Sequence, residues 1–263
     1  MNPPPLHATL DEIVPWLDDL LQTDATPDYA GAENGLQLAH VGPVKRIAAA
    51  VDSSLRSVEQ AVTSGANLLI VHHGLFWAGA QPIRGALYRK QKLLFDNDIA
   101  VYSSHLPLDR HPTLGNNALL ARALQLTPSS TWLAYKGVPT GVIARSECST
   151  EELAQRVRDF SATHNHHAVI TPHATDRRSH VIAICTGGGA TSDSIREAVS
   201  LGADTLVVGE GPHHTAIDAE ELNLVVMYAG HYATETLGVQ ALATAIAERW
   251  NLPWSFLPAP TGL

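Results

Sequence analysis

The chain has 263 residues, 45% of them hydrophobic and 16% charged, a globular composition long enough for one large or two medium domains. Its formal charge is −9 and it contains no block of Lys or Arg, which disfavours a nucleic-acid or anionic-membrane surface. No apolar run approaches the roughly 20 residues of a membrane span, and Cys148 and Cys185 form neither a CxxC pair nor a disulfide framework.

The opening segment MNPPPLHATLDE has no basic n-region and no apolar h-region, so no signal peptide is expected and a reducing, cytoplasmic setting is the default. Thr9 and Glu12 have capping-box spacing before an amphipathic segment that ends near Leu21, with Pro15 inside it. A turn-rich loop, DYAGAENGLQLAH, follows. RIAAAVD (46–52) reads as a buried strand. The next segment reads as a helix with Leu55, Val58, Ala61 and Val62 on one face and Gly65 at its C-cap. NLLIVHHG is the second strand, residues 85–97 a helix, IAVYSSH a third strand and GNNALLARALQL a third helix.

Residues 131–144 show no clear period. Ser149 and Glu152 open a helix with Leu153, Val157 and Phe160 on one face. Alternation then resumes: strand VIAIC, helix TSDSIREAVSLGA, strand DTLVVGEG, helix HTAIDAEEL, strand LVVMYAGH, and a helix from about Thr234 to Trp250. Strands alternating with helices predict an α/β fold with mostly parallel sheets flanked by helices.

The chain also repeats itself. GANLLIVHHG (65–74) and GADTLVVGEG (202–211) agree at five of ten positions. VYSSH ends at His105 and MYAGH at His231, and a carboxylate, Asp109 or Glu235, stands four residues after each. Two α/β domains of related topology, an internal duplication, are therefore expected. The first comprises residues 1–127 plus 230–263 and the second residues 128–229.

Ligands of open α/β sheets collect beyond the carboxyl ends of the strands. His72 and His73, His105 and Asp109, and His231 and Glu235 all fall at such ends. Neighbouring residues of a regular strand point to opposite faces, but at a strand end turning at Gly74 both imidazoles can leave the sheet edge and serve two ions. Several histidines with two carboxylates suit Zn, Fe, Mn or Ni better than Ca or Mg. The bland alternatives are a structural His pair, a helix-capping His231 and a turn-forming Asp109. His164, His166, His167 and His173 form a His-rich loop without a carboxylate partner, read as solvated, with a second metal site as the lesser alternative. His213 and His214 are read as structural or outlying. TGGGA (186–190) is either an anion-cradling loop or a tight turn, and lacks the Lys-Ser/Thr of a P-loop. Neither a GxGxxG nor a GxSxG motif is present.

VHHGLFW, SSHLPLDRHPTLGNN, CTGGGA, the GE after DTLVV and AGHYATE, with ENGLQ near the start, occur in an order and spacing that resemble one family. It is the family of dinuclear-metal hexameric proteins called type 2 homologues of GTP cyclohydrolase I, or NGG1-interacting-factor-three-like proteins, in its short bacterial form. The resemblance implies two related α/β domains, a toroidal homohexamer, and two divalent transition-metal ions per subunit. His73 and Asp109 would bind one ion, His72 and His231 the other, and Glu235 would bridge them. His105 would stand beside the pair, either as the catalytic proton-transfer residue or as a residue supporting the ligands from outside. The activity implied is metal-dependent hydrolysis of a nucleotide-like, N-heterocyclic or phosphorylated small molecule through a metal-bound hydroxide, GTP ring opening being one version. The alternative is a non-catalytic metal-binding or metal-delivery protein.

Overall fold

The computed structural model describes residues 8–263. Most of the proline-rich opening segment read for a signal peptide, residues 1–7, lies outside the described residues. In chain order the elements begin with β1 (Ala8–Thr9), α1 (Leu10–Leu21), β2 (Gly35–Leu38), β3 (Pro43–Val44), β4 (Ile47–Asp52) and α2 (Leu55–Ser64). Next come β5 (Leu68–His73), α3 (Gly85–Asp96), β6 (Ala100–Ser103), α4 (Leu106–Asp109) and α5 (Asn116–Ala123). The middle of the chain forms β7 (Thr127–Tyr135), β8 (Val138–Arg145), α6 (Thr150–Thr163), β9 (Val169–Ile170) and β10 (Val181–Cys185). The rest is α7 (Ser192–Ser200), β11 (Thr205–Val208), α8 (His213–Glu221), β12 (Val225–Tyr228), α9 (His231–Trp250) and β13 (Trp254–Phe256).

These elements gather into two units, one made of the described residues up to Leu108 with Gly238–Ala259, the other of Asp109–Leu237 with Pro260–Leu263. The sequence placed the breaks near residues 127 and 230, so α5, expected in the first domain, lies in the second unit.

The first unit holds a five-stranded sheet of order β13-β4-β5-β6-β2, parallel except for β2 at its edge. β4 and β5 read as unbroken apolar runs because both faces are covered, and Ala48 to Ala50 and Leu68 to Val71 are fully or almost fully buried. One face packs Ala48, Ala50, Leu69, Val71 and Val101 against Val58 and Ala61 of α2 and Leu94 of α3. Truncating Leu69 to Ala would cost about 2–5 kcal/mol. α1 opens with the expected capping box, Glu12 accepting from the Thr9 N–H at 2.8 Å. α2 ends at Gly65 in the left-handed conformation, φ 70°.

The second unit holds a six-stranded sheet of order β7-β8-β10-β11-β12-β9. Its centre, β10-β11-β12, is parallel, while β8 and β9 join it antiparallel. Residues 131–144, read as irregular, are the β7–β8 hairpin, turning at Lys136 and Gly137, both at positive φ. The path β4-α2-β5-α3-β6 in one unit and β10-α7-β11-α8-β12 in the other is the duplication in three dimensions. α9 starts at His231, three residues before the expected start.

Candidate metal centre

In the first unit, β5 ends on His72 and His73 at the carboxyl edge of the parallel sheet, and His105 follows β6, its neighbour. The three imidazoles converge. Ring centroids lie 4.9 Å apart for His72 and His73, 4.8 Å for His72 and His105, and 5.6 Å for His73 and His105. All three are buried, and one nitrogen from each lies within 4.8 Å of the others. The alternation that should send neighbours apart is relieved at the strand end, where the chain turns at Gly74. A Cβ on Gly74 would collide with the Gln37 side chain. Gln37 in turn accepts from the Leu75 N–H at 2.6 Å and donates to the Ala32 carbonyl at 3.0 Å.

Each ring is held by Nδ1. That of His72 lies 2.8 Å from the Ser104 carbonyl, that of His73 2.9 Å from Asp52, and that of His105 2.8 Å from Asp28. A carbonyl or carboxylate oxygen only accepts, so Nδ1 is the donor in each of these bonds. Asp28 is itself fixed by Asn34 at 2.8 Å and by the Leu106 N–H at 2.8 Å. Burial opposes its charge, but His105 and these donors outweigh that and hold its carboxyl below the usual range.

In the second unit, His231 and Glu235 occupy successive turns of α9 on one face. His231 Nε2 lies 3.2 Å from Glu235 Oε2, and His231 Nδ1 lies 2.8 Å from Glu210 Oε1. Burial pulls the imidazolium down, yet the bonds and charges of Glu235 and Glu210 prevail and raise its pKa to about 9. Asp109, 7% exposed, accepts from Asn116 at 2.8 Å and from the Thr186 hydroxyl at 3.4 Å. Asn117 ties this corner together, accepting from the Thr186 N–H at 2.7 Å and donating to the Thr140 carbonyl at 2.8 Å.

The glycine loop after β10 serves this carboxylate site. The Gly187 N–H donates to Thr234 at 3.0 Å and its carbonyl accepts from the Glu210 N–H at 2.9 Å. Gly187 has φ 63°, and a Cβ there would strike Glu235. The loop is thus a tight turn fitted to Glu235, and the Thr186 and Gly187 N–H groups are committed to protein acceptors.

Within each unit the donor types suit a metal ion: imidazoles bonded through Nδ1 to a carboxylate or a carbonyl in the first, and an imidazole with buried carboxylates in the second. Asp52 and Glu210 supply that orientation at His73 and His231 and were not identified from sequence. The repeat contained a signal for Glu210, which stands where His73 stands in the other half. The His-rich loop takes a different role. His164 contacts Thr236 at 3.0 Å and the Phe160 carbonyl at 3.0 Å, and His173 approaches Glu151 at 3.6 Å. No metal-ligating cluster among the described residues includes this loop. His213 and His214 lie exposed at the start of α8. Cys185 is buried, and burial followed by the charges of Asp109 and Glu235 pushes its thiol far up, so it is no nucleophile.

The family model Duf34/NIF3 (NGG1p interacting factor 3) matches residues 8–261. The chain belongs to this family. A Deinococcus radiodurans relative named GTP cyclohydrolase 1 type 2 homolog is 39% identical over 256 residues, covering 96% of this chain and 94% of its own. A Halobacterium salinarum protein of the same name is 40% identical over 243 residues, covering 90% of this chain and 93% of its own. Among solved structures, protein ybgI, described as of unknown function, aligns with a TM-score of 0.87 at 33% identity over 97% of this chain and 100% of that one. TTHA1606 from Thermus thermophilus aligns at 0.83 and 34% identity, again over 97% and 100%. Among the described residues no helix is long and apolar enough to cross a membrane.

Proposed function

We propose that the protein is a metal-dependent hydrolase in which His72, His73, Asp109, His231 and Glu235 are the ligands of two divalent transition-metal ions. His73 and Asp109 would hold one ion and His72 and His231 the other, with Glu235 shared between them. The observation that carries this reading is the repeated orientation of imidazoles through Nδ1, by Ser104, Asp52 and Glu210. Histidines that ligate metals are held in this way by outer carboxylates and carbonyls. When bound, such ions acidify water toward neutral pH and polarise the bond under attack.

The chain's own groups do the rest. Glu235 and Asp109 bring negative charge that offsets two cations in a buried site. His105 is the proton-transfer residue. Asp28 keeps a proton on its Nδ1, so exchange with the reacting group takes place at Nε2. The substrate is a nucleotide-like, N-heterocyclic or phosphorylated small molecule, and GTP ring opening is one reaction to test because relatives bear that name. The subunit assembles as a toroidal homohexamer working in the cytoplasm, which light scattering and fractionation test.

The deciding experiment combines elemental analysis with a substrate screen on the metal-replete protein against GTP, other nucleotides, phosphoesters and cyclic amides. Turnover that disappears in Glu235→Gln, with the fold retained, supports the hydrolase. No turnover, together with ready transfer of metal to an acceptor protein, replaces it with metal delivery.

A further inference from the structure

Immediately beyond His73 the loop 74–84 and the first turns of α3 enclose a cavity of about 650 Å³, within the range of small-molecule sites. Its lining is divided. Phe76, Ile83 and Leu87 offer apolar surface, while Arg84, Lys90 and Gln91 offer hydrogen-bond donors, and among the described residues no carboxylate lines it. In a chain of net charge −9, Arg84 and Lys90 both line this cavity, while Lys92 nearby is paired with Asp96 at 2.7 Å and does not. The cavity of about 300 Å³ in the second unit has the opposite character, lined by Glu210 and, among the described residues, by no Lys or Arg.

The cavity is wired to the imidazole cluster. Lys90 Nζ donates to the Ser53 carbonyl at 2.6 Å, and the Ser53 N–H donates to the His73 carbonyl at 2.9 Å. Asp52, next in the chain, orients the His73 ring. On the loop itself, Trp77 follows Phe76 and lies 4.6 Å from the His73 ring and 4.7 Å from the His105 ring. Burial drives the Lys90 ammonium below its ordinary range, as expected of a desolvated cation lacking an anion. Phe76 and Ile83 are 41% and 60% exposed, large apolar groups left at a mouth where a ring would cover them.

We propose that this cavity is the substrate pocket of the first unit, taking the phosphate ester of a small molecule on Arg84 and Lys90 and its planar, apolar body against Phe76 and Ile83. Arg matches a phosphate through its planar fork and Lys through a compact charge. The ligand's reactive end is then directed toward His73 and His105. The inference rests on the hydrolase reading for the fate of that end, but not for the binding itself.

The test is titration calorimetry on metal-loaded protein with adenosine monophosphate, inorganic phosphate and adenosine as probes. The nucleotide should bind at least tenfold tighter than either fragment, and its affinity should fall with added salt. Arg84→Gln and Lys90→Gln should each weaken the nucleotide about tenfold, the loss of one charge-assisted contact, while leaving adenosine unchanged. Arg84 is exposed, so its variant answers the question if Lys90→Gln fails to fold. Glu235→Gln separates the two readings. Nucleotide binding kept in Glu235→Gln but lost in Arg84→Gln supports the pocket even if no hydrolysis is found. Binding lost in Glu235→Gln and kept in Arg84→Gln and Lys90→Gln overturns the pocket and assigns the phosphate to the metals. Equal affinity of wild-type protein for nucleotide and adenosine also overturns it.

Discussion

The carboxyl edges of β5 and β11 match in sequence and topology but carry different residues. At one stand His72 and His73, at the other Gly209 and Glu210, in equivalent register. In the first half the strand end supplies imidazoles, and their orienting carboxylates, Asp52 and Asp28, come from β4 and from the loop before β2. In the second half the strand end itself supplies the orienting carboxylate, Glu210, for a histidine that begins α9. Gly209 is the other half of that exchange: a Cβ there would meet the Gly187 backbone at 2.5 Å, so no side chain could share the space. The two copies share the topology of the edge and distribute imidazole and orienting carboxylate differently.

The largest expected effect comes from removing the carboxylate assigned to both ions. Glu235→Gln should reduce bound metal to one ion or fewer per chain and lower any hydrolytic rate by on the order of a hundredfold or more, measured by elemental analysis and initial rates. Retention of two ions would break the assignment of Glu235.

The comparison of the halves is sharpened by their outer carboxylates. Asp52→Asn and Glu210→Gln should each weaken metal binding by about 10–100-fold, to similar extents, in competition titrations with a chelator. A large effect at Asp52 with none at Glu210 would mean that the second copy does not hold a ligand. Gly187→Ala comes next. It forces a side chain into the left-handed region and against Glu235, and should cost about 1–3 kcal/mol of stability in denaturant unfolding. The same change at Gly65, also left-handed but with open space around it, should cost less, since only the backbone strain applies.

The smallest effect concerns pH. The folded Asp28 carboxyl lies below its ordinary value, so it contributes stability that is complete above about pH 3.9 and is lost as pH falls through the lower folded value. Asp28→Asn should therefore make the acid limb of the stability curve shallower in unfolding experiments run at a series of pH values. An unchanged acid limb would show that Asp28 titrates as in the unfolded chain.

Where the sequence was readable, it was because local chemistry and tertiary demand coincided. The apolar run of β5 has to stop where imidazoles begin, and capping residues at Thr9, Ser149 and Gly65 marked helix ends that the fold uses. The β7–β8 hairpin was hidden for a physical reason. Most of β7 is exposed, so it carries little burial pattern, and its turn uses Lys136-Gly137 instead of the Asn-Gly or Asp-Gly that usually signals a two-residue loop. Asp28 was hidden differently, since it meets His105 from 77 positions away and sits in a loop with no period of its own. Asn34, which fixes Asp28 and accepts from the His105 N–H at 2.7 Å, lies inside the segment ENGLQ, whose local pattern carries no clue to so distant a partner.

The decisive measurement is of the metal itself. Crystals of protein purified without chelator, measured at the absorption edges of Mn, Fe, Ni and Zn, should show two anomalous peaks, one within coordination distance of His73 and Asp109 and one of His72 and His231, with Glu235 reaching both. A single peak elsewhere, or metal-replete protein whose peaks leave Glu235 and Asp109 uncoordinated, would contradict the account.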